Sequence, residues 1–274
     1  MVMDKKVGNL LSQVRESKPL VHHITNYVTV NDCANITLGI GASPVMADAI
    51  EEAADIAAIS NAVVLNIGTL NERTVKSMIA AGRSANAKGI PVVFDPVGAG
   101  ASKFRSDAAS LLIDQIKLTV LRGNISEMKC MAGLKGATKG VDASEGDAAN
   151  IDDAGQIAKG LAKKLGCIVV ISGATDTVSN GAEIIFVENG HPMLGGLTGT
   201  GCMASSLIGS FCGASKGRAF DAAVSAMLCM GVAGELAYEK AGRFGGGSFH
   251  AALHDAVSLM DAQTLEGLAK YREA

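Results

Sequence analysis

Between Pro192 and Ser215 the sequence carries no charged residue for 24 positions. The run opens Gly195-Gly196-Leu197-Thr198-Gly199-Thr200-Gly201-Cys202, with four glycines in seven positions, and continues from Met203 to Phe211 as an apolar stretch. A segment of this kind must be covered on all sides, either by lipid or by the rest of the chain. Its glycines, threonines and serines hold it below the hydrophobicity of a membrane span. It therefore reads as a buried helix entered through a glycine turn. Such a turn permits positive φ and close backbone approach. It also aims unpaired N–H groups and the positive helix end at one point, which suits an anion. Cys202 falls on the first turn, where the helix dipole favours thiolate. An anion pocket (Gly199, Thr200, Gly201, Cys202) with a base on its rim suits phosphoryl transfer to a hydroxyl. A glycine-rich packing turn with an inert buried cysteine fits the same residues, and this stretch alone leaves both readings open.

The glycines are not followed by Lys-Ser/Thr, so this is not a Walker A loop. Gly199-Thr200-Gly201 lacks the third glycine of a dinucleotide fingerprint. The chain is 48% hydrophobic but only 4% aromatic, with no Trp and 33 glycines, so its core must be built from Ala, Val, Ile, Leu and Met. That usage suits helices packed closely on a parallel sheet. A net charge of −3 without a Lys/Arg cluster argues against nucleic acid or an anionic membrane as partner. The six cysteines show no C-x-x-C spacing, and the first twenty residues lack an apolar core of the signal-peptide type. Both features fit a cytoplasmic protein with reduced thiols.

Elsewhere strands and helices alternate, with no linker-like composition shift and no repeat, so residues 1–274 read as one domain. An amphipathic helix is predicted over 1–19, a short strand over 19–24, and a helix from about Val30. Asp48–Ala57 and Asn71–Lys88 read as helices, the second with Asn71 as N-cap and Gly89 at its end. Strands are predicted at 62–68, 91–94, 118–121 and 167–171, with helices at 106–115 and 152–165. A hairpin is expected around Asn180-Gly181. Residues 136–150 read as a loop, Ala219–Lys240 as a helix, and a last helix follows Ser248 as its N-cap.

Several polar residues stand where strands end. Asp95 closes an apolar strand and leads into Pro-Val-Gly-Ala-Gly100, facing the crevice where open α/β sheets bind ligands; an Asx cap on the turn is its bland role. Arg122, Asn124 and Glu127 could hold phosphate and Mg²⁺ or simply start a capped helix. His22, His23, Thr25 and Asn26 are unusual in an apolar strand, and capping of loop backbone is their simplest role. Adjacent histidines on a strand point to opposite faces, and no second histidine cluster completes a metal site with them.

Together, His23-Ile-Thr-Asn26, Ser43-Pro-Val-Met46, Asn66-Ile-Gly68, Asp95-Pro-Val-Gly-Ala-Gly100, Arg122-Gly-Asn124 with Glu127, Gly140-Val-Asp142 and Thr198-Gly-Thr-Gly-Cys202 resemble the hydroxyethylthiazole kinase family of the ribokinase-like superfamily. The resemblance covers most of the chain. It implies an α/β fold, a ribokinase-like αβα sandwich with a mostly parallel sheet and no separate lid domain. It implies ATP-dependent phosphorylation of 4-methyl-5-(2-hydroxyethyl)thiazole in thiamine biosynthesis or salvage, with Mg²⁺. It further implies a homotrimer with sites between protomers, which would set Asn26 on the neighbouring protomer's site.

By the same resemblance Cys202 is catalytic, where many ribokinase-like kinases carry Asp. Asn26, Met46, Gly68 and Gly199 would contact thiazole. Arg122, Asn124 and Ser172 would contact ATP, and Asp95 and Glu127 would organise the metal. Thr200 stands where a smaller residue is common, and Ser172 where Thr is also seen. Hydroxymethylpyrimidine kinase and ATP- or ADP-dependent NAD(P)H-hydrate dehydratase share the fold but normally carry Asp at the position of Cys202. A thiazole-binding protein without activity would be expected to have lost Asp95, Glu127 or the glycine motif.

Overall fold

The computed structural model describes residues 7–134, 138–139, 142–143 and 151–274. Its central sheet has the strand order β11-β10-β9-β8-β5-β4-β3-β1-β2. The parallel part comprises β1 (Leu20–Ile24), β2 (Ser43–Met46), β3 (Ala62–Asn66), β4 (Val92–Asp95), β5 (Val120–Asn124) and β8 (Ile168–Ser172). Antiparallel β9 (Asp176–Ser179), β10 (Ile184–Val187) and β11 (Tyr271–Glu273) extend one edge.

The apolar strands are buried on both faces, and their side chains alternate between two cores. Val63 and Leu65 belong to one core and Val64 to the other. The first core lies under α3 (Ala53–Ile59), α4 (Glu72–Ala87), α5 (Lys103–Gln115) and α7 (Ile151–Leu165). The second lies under α1 (Val7–Ser17), α2 (Val30–Ile40), α8 (Thr200–Ala214), α9 (Ala219–Ala241) and α10 (Gly246–Leu259). The result is an αβα sandwich with a mostly parallel sheet. By length and composition α9 could cross a membrane, yet 78% of its apolar window is buried inside the fold.

The direction of α8 follows from its glycines. A Cβ on Gly213 would meet Pro19 and Asn61, at the starts of β1 and β3, and one on Gly209 would meet Val64 Cγ2 at 2.5 Å, in mid-sheet. The helix therefore runs against the strands, and its N-terminus lies over their carboxyl ends. Phe211 and Leu207 anchor it at 0% exposure. Removing a ring of that kind costs about 3–5 kcal/mol.

Most predicted elements are present, with four corrections. Ala47 O accepts from His22 Nε2 at 2.7 Å, so the chain turns there and α3 begins at Ala53 rather than Asp48. Strand β5 runs on to Asn124, which puts Arg122 inside the strand, opposite Val170. Helix α10 is capped by Gly245, whose φ of +100° suits glycine, and Ser248 lies within the helix. It is not the last element, since α11 (Ala262–Leu268) and β11 follow. Within 136–150, two short paired strands, β6 (Thr138–Lys139) and β7 (Asp142–Ala143), are described, while Gly140 and Val141 lie outside the described residues.

Candidate active site

Strands β1 and β3 are neighbours although β2 lies between them in sequence, so the chain changes direction across the sheet at this point. Ligands of open α/β sheets bind at the carboxyl ends of the strands at such a switch. Asn26, two residues past β1, and Asn66, the last residue of β3, meet here. Asn26 Nδ2 donates to Asn66 Oδ1 at 3.0 Å. Cys202 Sγ, at the third position of α8, lies 3.3 Å from the Nδ2 donors of both asparagines. Asn26 thus bonds the cysteine of its own chain.

A polar chain runs outward from this cluster. Asn66 Nδ2 donates to Asp95 Oδ2 at 3.1 Å, in keeping with the register of the two residues across β3 and β4. Ser205 Oγ, one turn beyond Cys202, donates to the same oxygen at 2.7 Å, and Arg122 Nη1 lies 3.6 Å from it. Arg122 Nη2 in turn donates to Ser172 Oγ at 2.8 Å. Asp95 Oδ1 is buried without a partner.

The glycine turn has the geometry of an anion site. Gly199, the N-cap of α8, has φ +94°, and no side chain caps the helix. The first-turn amides are therefore free of a side-chain acceptor. Thr200 contributes only its amide, because its hydroxyl donates to Leu194 O at 3.0 Å and Leu197 O at 3.3 Å. A Cβ on Gly201 would stand 2.6 Å from Arg122 Nη1 and would displace the guanidinium. Gly68 is packed in the same way on Asn26, at 2.9 Å.

Arg122, Ser172, Thr200 and Gly201 line a cavity of about 440 Å³ together with Asp176, Gly190 and His191. Met46 ends the outer strand β2, opposite His23 and half-buried. Asn124 and Glu127 form a capping box on α6 (Ile125–Met131). Asn124 Oδ1 accepts from Glu127 N at 2.9 Å. Glu127 Oε2 accepts from Asn124 N at 2.7 Å and its Oε1 from Gly98 N at 2.8 Å. The capped helix start is thus their observed arrangement, and it brings Glu127 close enough for its charge to couple to Asp95.

Burial dominates the electrostatics. It raises the Asp95 carboxyl, against the Arg122 charge and hydrogen bonds from Ser205 and Asn66. Burial and the Asp95 charge push Glu127 up to about 7. Desolvation likewise takes Asp176 up to about 6. Burial, then the Asp95 charge, raise the Cys202 thiol, against the lowering expected from the helix dipole. His23 is driven down to about 4 by burial, is neutral, and bonds Val21 O within its own strand, while His22 is spent on Ala47 O and so holds loop backbone.

Three contributors escape a reading of the sequence. Ser205 is one helical turn from Cys202, a spacing that could have flagged it. Asn66 sits inside a recognised motif but shows no role until its four partners, Asn26, Asp95, Cys202 and the Gly68 amide, are seen. Arg105 donates to Ile67 O and Val97 O at 2.7 Å and to Gly68 O at 2.8 Å, tying together the loops after β3 and β4. No local pattern marks it.

A family model described as the Hydroxyethylthiazole kinase family matches residues 11–263. A hydroxyethylthiazole kinase of Clostridium beijerinckii is 58% identical over 269 residues, covering 98% of this chain and 97% of that protein. The solved structure of hydroxyethylthiazole kinase from Pyrococcus horikoshii OT3 superposes with a TM-score of 0.88 at 38% identity, covering 98% of each chain. Pyridoxal kinase from Staphylococcus aureus, solved with pyridoxal, has a TM-score of 0.61 at 15% identity over 80% of this chain and 88% of that one, a likeness of fold.

Proposed function

This chain belongs to the hydroxyethylthiazole kinase family and is a kinase, and we propose that it transfers the γ-phosphoryl group of ATP to the hydroxyl of 4-methyl-5-(2-hydroxyethyl)thiazole. The observation that carries the reading is the unbroken polar chain from Asn26 and Cys202 through Asn66 and Asp95 to Arg122 and Ser172. It links an alcohol-binding end with a phosphate-binding end across the N-terminus of α8.

At the alcohol end, Asn26, Gly68 and Gly199 contact the thiazole, with Met46 at the margin. Cys202 holds the hydroxyl against its two amide donors. A loose transition state keeps the proton on the attacking oxygen until late, so a neutral thiol suffices for positioning, and its ionised form adds base catalysis as pH rises. The amides of Gly199 to Cys202 meet the charge developing on the phosphoryl oxygens. Arg122 and Ser172 bind the nucleotide's phosphates at the wall of the cavity.

The donor set fits a magnesium ion. Asp95 has a buried, unpartnered Oδ1, and its other oxygen is fixed by Ser205 and Asn66. Magnesium, when bound, neutralises the phosphate oxygens. Asp95 would hold it through Oδ1, directly or through water. Glu127, engaged by two backbone amides, contributes charge and shapes the Gly98 loop. Asn124 acts through the cap rather than by touching ATP.

The chain is read as one cytoplasmic domain, 1–274, without a separate lid. Tyr27 (80% exposed) and Val28 (59%) follow Asn26 at the open side of the site. Their exposure supports a homotrimer in which a neighbour covers that side. Separate assays with hydroxyethylthiazole and hydroxymethylpyrimidine, each with ATP and magnesium, test the reading. Phosphorylation of the thiazole alcohol is the expected result, and preference for the pyrimidine would overturn it.

A further inference from the structure

Outside the kinase site, Asp32 of α2 faces two histidines one turn apart on α10. Asp32 Oδ1 lies 3.0 Å from His250 Nε2 and 3.6 Å from His254 Nε2. One ligand atom from each of the three residues lies within 4.8 Å of the other two. Ligand atoms about 2.0–2.1 Å from a tetrahedral zinc ion stand about 3.3 Å from one another, so the two carboxylate–imidazole distances bracket that spacing.

The contacts are not those of an ordinary ion pair. His250 Nε2 is buried and makes no hydrogen bond despite its 3.0 Å approach to the carboxylate. His254 Nδ1 is likewise buried without a partner. The three side chains are 19–33% exposed, which leaves room for a water ligand and a path of entry.

We propose that Asp32, His250 and His254 form a zinc site, a two-histidine, one-carboxylate set completed by water, distinct from the magnesium site of the kinase. Imidazole ligands select zinc over magnesium, which takes oxygen. The ion would join α2 to α10 beside the active site. Asp32 Oδ2 lies 3.4 Å from where a Cβ of Gly199 would stand, and Thr29, just before α2, donates through its amide and hydroxyl to Asn26 Oδ1 at 3.1 Å.

The test uses full-length protein without a histidine tag, stripped by chelator and free of nucleotide. Zinc alone is titrated against a chromophoric chelator, and cobalt is added in parallel for its tetrahedral absorption. One equivalent of zinc per chain is expected, with thermal stabilisation that grows with zinc concentration. Asp32→Asn, His250→Ala and His254→Ala should each abolish this equivalent, and Asp95→Asn should retain it. His250→Gln replaces the alanine variant if circular dichroism shows the latter unfolded. Absence of a stoichiometric site overturns the proposal. So does zinc retained by a folded His250→Ala/His254→Ala protein, or zinc lost on Asp95→Asn, which would place the ion elsewhere.

Discussion

Ser205 Oγ, one turn of α8 beyond Cys202, donates a 2.7 Å hydrogen bond to Asp95 Oδ2. The helix whose first turn has no side-chain cap thereby also fixes the carboxylate. With Asn66 on the same oxygen, the bond turns the unpartnered Oδ1 into the feature available to a cation.

Ser205→Ala should therefore act through Asp95. Loss of a donor to the charged form raises a carboxyl pKa, and that of Asp95 is already raised by burial. The acid limb of the kcat/KM profile should move to higher pH, and the magnesium requirement should rise. Asp95→Ala should show the same magnesium shift with a larger loss of kcat. An unmoved acid limb and unchanged magnesium titrations in both variants would remove this carboxylate from the metal site.

Glu127 should matter chiefly to stability. Its carboxyl is pushed up to about 7, so the folded state holds a proton that the unfolded chain releases in the ordinary carboxylate range. The resulting stability is complete below that range and is lost as pH rises through about 7. The Tm of protein free of nucleotide and magnesium should fall between about pH 5 and about pH 8. Asp95 and Asp176, also raised, slope the same way. Glu127→Gln, whose amide oxygen can still close the capping box, should flatten this slope. A slope as steep as that of the wild type would assign the dependence to other groups.

Gly201→Ala and Gly199→Ala should separate the two halves of the anion turn. The first places a methyl 2.6 Å from Arg122 Nη1, so the guanidinium must move off Ser172. The KM for ATP should rise about tenfold or more, the equivalent of about 1.4 kcal/mol, with a smaller effect on thiazole. The second strains a φ of +94° and presses on Thr29 at 2.9 Å, which disturbs Asn26 and the thiazole side. Initial-rate kinetics with each substrate varied would show the split, and identical KM changes in both variants would contradict it.

Mixing inactive Asn26→Ala and Cys202→Ala proteins should restore no activity. The 3.3 Å contact between these residues lies within one chain, so no site in a mixed assembly can hold both wild-type groups. Recovery after demonstrated subunit exchange would show that Asn26 is drawn from a neighbour.

The sequence made much of this fold legible because its signals are local. Buried strands such as Ala62–Asn66 and the glycine turn at 199–202 announce themselves over a few residues. Asn71 as N-cap was readable from its neighbours alone, and the structure has its side chain accepting from Thr74 N. Strand β11 was not legible, since Tyr271–Glu273 is short and polar and exists only by pairing with β10. Gly245 displaced Ser248 as cap because a backbone turn after α9 decided where α10 starts. The candidate site divided along the same line. Cys202 and Asp95 could be picked out by position, but the partners of Asn66 and the approach of Asp32 to α10 depend on contacts between distant segments. For the Cys202 thiol, the helix dipole can be inferred from sequence, whereas burial beside Asp95 cannot.

The central claim is that Cys202 positions the hydroxyl as a thiol while the turn amides carry the developing charge. Steady-state rates of wild type, Cys202→Ser and Cys202→Asp across about pH 6 to 9 test it most directly. Cys202→Ser should cost about 10²-fold or less, at or below the low end of the roughly 10²–10⁴-fold expected for loss of one general base. The wild-type rate should climb towards alkaline pH as the raised thiol ionises. Cys202→Asp should retain activity with that climb flattened, since a carboxylate is already a base at neutral pH. An inactive Cys202→Asp protein that is folded and still binds thiazole would contradict the claim.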